Sequence, residues 1–339
     1  MNSTERLKAL LEGKPVDRMA ATLWKHTTMV DRYQDDFFKK TVQIHDENDW
    51  DLIKICHNGF YFIEDMGCEI EWPSNEIDMP RMIHFAINDP FDWKRLKSLS
   101  VKKGAWKREI EFTKRLADHY QGTVPILGTV FSPLTTAGEM TGGYPRREMI
   151  VSQLRHHPEI IEKALEQLTE MTIEFSVALA EAGADGIFLA DQFGSRNFMT
   201  KEEHTEFVRK YDLQVLDAIK DKTWFNMLHV HGFDNLMMEN VVDYPIQAIN
   251  WEDHLGNYTL ADMRKITDKI LIGGIEQAHD FDCNDRDQLK EHFKNRIRAA
   301  KEAAGDKLII GPGCVVPTSV PEYKFNVLRE AVNEVSLEK

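Results

Sequence analysis

Three short polar motifs, each at the end of an apolar run, hold the residues of this chain best suited to chemistry. They are His229-Val230-His231-Gly232, Glu252-Asp253 and Gly311-Pro312-Gly313-Cys314. Residues two apart in an extended strand point to the same face, so His229 and His231 can approach one ion together. Imidazole, carboxylate and thiolate are ligands that Zn²⁺ prefers, and a catalytic zinc ion typically keeps an open position. The pattern therefore predicts an enzyme with a zinc site. The predicted ligands are His229, His231, Cys314 and Glu252, with Asp253 as the alternative to Glu252.

Strands must bring these motifs together, and the chain offers strand candidates that alternate with amphipathic helical stretches. The candidates are 20–24, 51–55, 123–130, 186–190, 223–228, 246–251, 269–273 and 307–310. This alternation is typical of βα units and a parallel sheet, and eight such units fit a (β/α)₈ barrel. A doubly wound open sheet is the alternative, although no Gly-x-Gly-x-x-Gly turn follows the first candidate. We expect an α/β fold with a single (β/α)₈ TIM-barrel domain over 1–339. Helical insertions are expected after strands 2 and 3.

In such a barrel the chemistry lies at the carboxyl ends of the strands. Asp191 follows the fourth strand and is the predicted catalytic residue, because its carboxylate could orient a ligand imidazole or a substrate group. It could equally cap the following helix, although Thr200 with Glu203 forms a better capping box. The predicted substrate-binding residues lie after strands 1, 4 and 7 and are His26, Gln192 and Glu276.

Composition narrows the classes of function. The 339 residues include 56 Asp or Glu and 42 Lys or Arg, a formal net charge of −14, whereas nucleic-acid binding needs a basic face. An acidic chain is not attracted to anionic membranes, and no apolar run approaches the roughly 18 residues of a membrane span. The 4 cysteines are irregularly spaced, which favours a reducing cytoplasm over a disulfide framework. We expect a cytoplasmic enzyme with a small-molecule substrate and no nucleic-acid or membrane partner.

The order of several short motifs resembles the uroporphyrinogen decarboxylase superfamily. These motifs occupy 13–18, 51–54, 128–142, 183–186, 191–195, 273–275 and 311–317. The superfamily includes the decarboxylase and zinc-dependent, corrinoid-linked methyltransferases, and the resemblance implies a (β/α)₈ barrel. Its methyltransferase branch looks like His-x-Cys after strand 5 and Cys after strand 8. This chain has His229 and Cys314 at the matching places, but His231 stands where the pattern has Cys.

The methyltransferase branch is the closer match, and it implies Zn²⁺ as cofactor and a corrinoid protein as a possible partner. A methyl group would pass from that protein, or from a small methyl donor, to a thiol-type acceptor whose pKa zinc lowers. One alternative is uroporphyrinogen decarboxylase or a related metal-independent decarboxylase. Its pattern looks like an Arg-rich loop after strand 1 and Gly-His-Gly after strand 8, which this chain lacks. The other alternative is a non-catalytic corrinoid or tetrapyrrole binder. The sequence leaves the donor, the acceptor and the oligomeric state open.

Overall fold

The computed structural model describes residues 1–338 and has a parallel sheet of eight strands at its centre. In chain order the strands are β1 (Ala20–Ala21), β2 (Ile53–Lys54), β3 (Glu69–Glu71), β4 (Arg81–His84), β5 (Ile126–Phe131), β6 (Gly186–Asp191), β7 (Met227–Val230), β8 (Ala248–Trp251), β9 (Ile270–Ile275) and β10 (Leu308–Pro312). The central sheet has the order β1-β10-β9-β8-β7-β6-β5-β2. Each predicted strand overlaps one of these eight, so the predicted parallel α/β sheet is confirmed, and its strand order is consistent with a TIM barrel.

Helices connect the strands and cover the outside of the sheet. They are α1 (Ser3–Leu11), α2 (Gln34–Asn48), α3 (Gly104–Tyr120), α4 (Pro133–Thr141), α5 (Glu148–His156), α6 (Pro158–Glu181), α7 (Lys201–His204), α8 (Lys210–Ile219), α9 (Leu260–Ile266), α10 (Arg286–Ala304) and α11 (Tyr323–Ser336). The predicted capping box of Thr200 and Glu203 begins α7, and a π-helical turn (Thr205–Arg209) joins α7 to α8. Within residues 1–338 no helix is both long and apolar enough to cross a bilayer.

The segment between β2 and β5 contains a feature that the sequence did not predict. Strands β3 and β4 form a separate antiparallel hairpin, which is followed by a 3₁₀ helix (Pro90–Arg95) and then by α3. Most side chains of the hairpin are exposed or half-buried, so its apolar alternation is too weak to mark strands. The segment between β5 and β6 contains α4 and α5 before α6 packs on the sheet.

The two strands at the ends of the sheet order, β1 and β2, are joined through Asp51. The backbone N–H of Asp51 donates to the Ala21 carbonyl at 2.8 Å, and the Asp51 carboxylate accepts from the Ala21 N–H at 2.8 Å. This carboxylate is fully buried and also accepts from Arg18 Nη1 at 2.6 Å and from Arg6 Nη1. One buried charge therefore links both strands to α1.

We expect the substitution Asp51→Asn to lower the free energy of unfolding by about 3–5 kcal/mol, because it leaves buried guanidinium groups without their counter-charge. Urea unfolding of the metal-free protein measures this loss. Asp49→Asn is the matched control, since Asp49 also pairs with Arg18, at 2.8 Å, but its side chain is 70% exposed. Exposed ion pairs contribute about 0–1 kcal/mol, so similar losses in both variants would contradict the role given to Asp51.

Candidate metal centre

The predicted ligands lie at the carboxyl ends of strands of the central sheet. His229 is in β7, His231 follows that strand directly, and Cys314 comes two residues after β10. A side chain at Gly313 would place its Cβ 3.0 Å from the Glu252 Cα and 3.2 Å from the Trp251 carbonyl oxygen. Both contacts are tighter than a Cβ usually makes, so glycine at this position lets the chain pass close to the end of β8 just before Cys314.

The donor atoms of the two histidines and the cysteine converge. Cys314 Sγ lies 3.7 Å from His229 Nε2 and 3.6 Å from His231 Nδ1. One donor atom from each residue lies within 4.8 Å of the other two. In a tetrahedral zinc site, a nitrogen ligand and a sulfur ligand are about 3.6 Å apart, given bonds of about 2.1 and 2.3 Å. The two nitrogen–sulfur separations therefore fit a shared ion, and the two nitrogens lie close enough to complete the set.

Glu252 is the fourth predicted ligand, and it lies beside this group. Its Oε1 is 3.7 Å from His231 Nδ1, and its buried Oε2 has no hydrogen-bond partner among residues 1–338. Burial and the neighbouring Glu276 raise the pKa of Glu252 to about 8. The alternative, Asp253, faces elsewhere, since its Oδ2 accepts from the Gly274 N–H at 3.1 Å. Both carboxyl groups have one buried oxygen without a partner within residues 1–338, but only Glu252 lies beside a predicted ligand, and this position favours Glu252 over Asp253.

Asn250 fixes the orientation of His229. Its Nδ2 donates to the carbonyl oxygens of Ile272, at 2.9 Å, and Pro312, at 3.0 Å. Its Oδ1 must therefore be the atom that lies 2.6 Å from His229 Nδ1. An amide oxygen only accepts, so the proton of His229 is on Nδ1 and the lone pair of Nε2 points toward Cys314. This is the tautomer that a metal ligand needs.

Burial sets the protonation states of the three donors. It lowers the pKa of His229 to about 4 and holds the pKa of His231 well below its usual range. Burial and the nearby Glu252 raise the pKa of Cys314 to about 12. At neutral pH the protein alone therefore presents two neutral imidazoles and one neutral thiol. A cation at this point would favour the thiolate.

Asp191, the predicted catalytic residue, is fully buried and contacts neither predicted ligand imidazole through its carboxylate. Its Oδ1 accepts from the Phe193 N–H at 2.7 Å, and its Oδ2 lies 3.0 Å from His204 Nε2. The carboxylate therefore meets a histidine other than the predicted ligands, and a catalytic role for Asp191 stays a prediction. That histidine, His204, is on α7, and no local sequence pattern predicts the contact. The link between Asp191 and the candidate centre is the Asp191 carbonyl oxygen, which accepts from the His231 N–H at 2.8 Å.

A cavity of about 180 Å³ adjoins the three donors, and two of the three predicted substrate-binding residues line it. His26 and Gln192 line this cavity, and Gln192 Oε1 accepts from Arg147 Nη2 at 2.7 Å. Glu276 is not among its lining residues. The Glu276 carboxylate instead accepts from the backbone N–H groups of Ala278, at 3.1 Å, and His279, at 2.6 Å, so it caps a turn.

The cavity wall also contains polar residues that were not predicted as site residues. Lys54 lies in β2 with its Nζ 4.7 Å from the centre of the Phe188 ring. His57 Nδ1 is 2.5 Å from the buried Glu109 carboxylate, while His57 Nε2 and the neighbouring Asn58 Nδ2 are buried without a partner in the described part of the chain. The available signals were that His57 and Asn58 follow the end of a predicted strand, and that Lys54 and Cys56 are two apart in extended chain.

Comparison with known proteins places this geometry in a family context. The family described as uroporphyrinogen decarboxylase (URO-D) matches residues 2–335. A methylcobamide:CoM methyltransferase of Methanosarcina acetivorans is 22% identical over 339 residues, which cover 96% of each chain. A uroporphyrinogen decarboxylase of Coxiella burnetii is 31% identical over 236 residues, which cover 67% of this chain and 62% of that protein. The solved structure of a methyltransferase from Methanosarcina mazei has a TM-score of 0.82 at 20% identity, covering 98% of this chain and 99% of the other. That structural likeness establishes the shared fold.

We expect Asn250→Ala to weaken Zn²⁺ binding about 10–100-fold, because the substitution releases the imidazole of His229 from its fixed orientation. Competition with a chromophoric chelator measures the affinity. Asn226→Ala is the matched control, since Asn226 is also buried and its Oδ1 accepts from the Ile187 N–H at 3.0 Å, near the other end of β7. Equal weakening in both variants would mean that Asn250 acts only through general stability.

Proposed function

The chain belongs to the uroporphyrinogen decarboxylase (URO-D) family, and on that premise we propose that it is a zinc-dependent methyltransferase. The proposed reaction moves a methyl group from a corrinoid protein, or from a small methyl donor, to a thiol-type acceptor. The Methanosarcina relatives are methyltransferases, and the chain is an enzyme of this class. Their names give a methylcobamide and CoM as the reacting compounds, and this supports the finer proposal of a corrinoid donor and a thiol acceptor.

The observation that carries the proposal is the convergence of three donor atoms at separations suited to one ion. His229, His231 and Cys314 would hold zinc, with Glu252 as a fourth ligand or as the group beside an open position. Bound zinc would lower the pKa of an acceptor thiol, so that the thiol is the nucleophilic thiolate at neutral pH. The two imidazoles need no deprotonation to bind, because burial already keeps them neutral.

The cavity residues would position the acceptor and keep water away from the sulfur. Phe188 stacks on His229 with ring centres 5.2 Å apart, and Trp24 meets Phe188 edge to face at 5.8 Å. These rings give the cavity an apolar wall next to the predicted ligands. His57 and Asn58 line the same cavity, and within residues 1–338 the buried His57 Nε2 and Asn58 Nδ2 have no partner, so a polar substituent of the acceptor would satisfy them.

Proton release on metal binding tests the ligand set. At pH 7 the addition of Zn²⁺ to the metal-free protein should release about one proton if Cys314 alone is deprotonated, and about two if Glu252 also binds. The reason is that the pKa of Cys314 is about 12 and that of Glu252 is about 8, so both groups are mainly protonated at this pH. The affinity should therefore rise about tenfold per pH unit for each proton released.

A pH indicator in weakly buffered solution counts these protons. Glu252→Gln is the informative variant, because it should release about one proton whichever arrangement the native protein has. Binding without any proton release would contradict Cys314 as a ligand.

The activity test combines zinc analysis with methyl transfer from methylcobalamin to a panel of thiols that includes coenzyme M. The absorption spectrum of the corrinoid reports loss of the methyl group. We expect about one zinc ion per chain, as for an open catalytic site, and we expect His229→Ala and Cys314→Ala to lose both zinc and transfer. Cys283→Ala is the control, because this half-exposed thiol lies outside the cavity and should retain both.

Two other outcomes would replace the proposal. Metal-independent formation of coproporphyrin from uroporphyrinogen would assign the chain to decarboxylation, as in the Coxiella burnetii relative. Tight corrinoid or tetrapyrrole binding without turnover at any zinc loading would make it a binding protein.

A further inference from the structure

A second thiol, that of Cys56, lies next to the same cavity, and its surroundings differ from those of Cys314. Cys56 comes two residues after the end of β2 and is 8% exposed. Its Sγ is 3.5 Å from His26 Nδ1 and 3.7 Å from Lys54 Nζ. Lys54 and Cys56 are two residues apart in extended chain, so their side chains point to one face. His26 reaches the thiol from the loop that follows β1.

The charged groups around Cys56 favour its thiolate. Burial alone would raise the pKa of this thiol, but the charges of His26 and Lys54 lower it to about 7. Burial also opposes the imidazolium of His26, yet the pairing with Cys56 raises the pKa of that imidazole. Two further groups face the cluster, namely Asp31, whose pKa burial raises to about 7, and Cys314, which is neutral without a metal. The cations therefore outweigh the acidic neighbours at Cys56.

A small cavity and two side-chain nitrogen atoms without hydrogen-bond partners in the described residues lie near this thiol. Cys56 lines a small cavity of about 50 Å³, and two of its other lining residues, Trp24 and Lys54, also line the larger cavity next to the predicted zinc ligands. The two residues that follow Cys56 carry the buried His57 Nε2 and Asn58 Nδ2, which have no partner within residues 1–338. Their side chains face the larger cavity. These unpaired groups indicate a ligand with hydrogen-bonding atoms close to the thiol.

We propose that Cys56, with His26 and Lys54, is a second and metal-independent reaction site, where a thiolate takes up a small soft electrophile. A bond forms between Cys56 Sγ and the electrophilic carbon or sulfur, and the leaving group departs with the electrons of the broken bond. Where the thiol is still protonated, its proton passes to His26. His57 and Asn58 are available to an oxygen atom of the electrophile. The site goes beyond the proposed methyl transfer and requires no zinc.

Labelling with methyl methanethiosulfonate, followed by peptide mass mapping, tests this proposal. Attack by Cys56 forms a methyl disulfide and releases methanesulfinate. Cys68 is the matched internal control, because it is also 8% exposed but burial raises its pKa. At pH 7 we expect Cys56 to react at least about five times faster than Cys68. The larger thiolate fraction of Cys56 outweighs the lower intrinsic nucleophilicity of its thiolate.

The pH profile gives a second readout. The labelling rate of Cys56 should rise with pH through a midpoint near pH 7 and level off above about pH 8, where nearly all of the thiol is thiolate. His26→Gln and Lys54→Met should each move the midpoint to higher pH, and Cys56→Ser should remove the label from that peptide. Cys56 should be labelled in both metal-free and zinc-loaded protein, because the proposed reaction uses no metal. A Cys56 rate no greater than that of Cys68, or a native midpoint near the ordinary thiol pKa, would overturn the proposal and leave the zinc proposal untouched.

Discussion

The side-chain amide of Asn250 ties together the strands that carry the candidate centre. From β8 it donates to carbonyl oxygens of β9 and β10 and accepts from the imidazole of His229 in β7. Four neighbouring strands therefore meet at one amide group. The positions of β8, β9 and β10 determine where this amide lies, and the amide in turn sets the direction of the His229 Nε2 lone pair. The polar network belongs to the sheet itself, so the candidate site cannot shift without disturbing strand contacts.

Burial raises the pKa of both thiols near the cavity, but their neighbours differ in charge. Cys314 has carboxyl groups and neutral imidazoles around it, so the interior opposes its negative charge. Cys56 has an imidazole and an ammonium group within 3.7 Å, and these stabilise the negative charge in a similarly dry environment. A thiol with neutral or acidic neighbours would thus need a bound cation to become a thiolate, whereas a thiol with cationic neighbours does not. The difference comes from the neighbours and not from exposure.

Much of the architecture could be predicted from the sequence, because parallel strands that are buried on both faces appear as apolar runs followed by polar residues. The convergence of His229, His231 and Cys314 could be expected for the same reason, since strand ends meet at one edge of the sheet. The partner of Asp191 could not be predicted, because His204 reaches it from a later helix with no local sequence signal. The β3–β4 hairpin escaped detection because its mostly exposed residues show no clear alternation. The role of Asn250 was hidden, since a strand asparagine resembles any other polar residue until its neighbours are known.

The π-helical turn between α7 and α8 has a consequence for the way this chain tolerates length changes. Each π turn accommodates one residue more than an α turn, so it rotates the helix before it relative to the helix after it. Here the rotation lets His204 face Asp191 while Tyr211 and Val215 of α8 stay buried in the core. A residue corresponds to about 100° of helix rotation. Removing a single residue from 205–209 would restore a regular α-helix. His204 and the apolar face of α8 could then no longer both be buried.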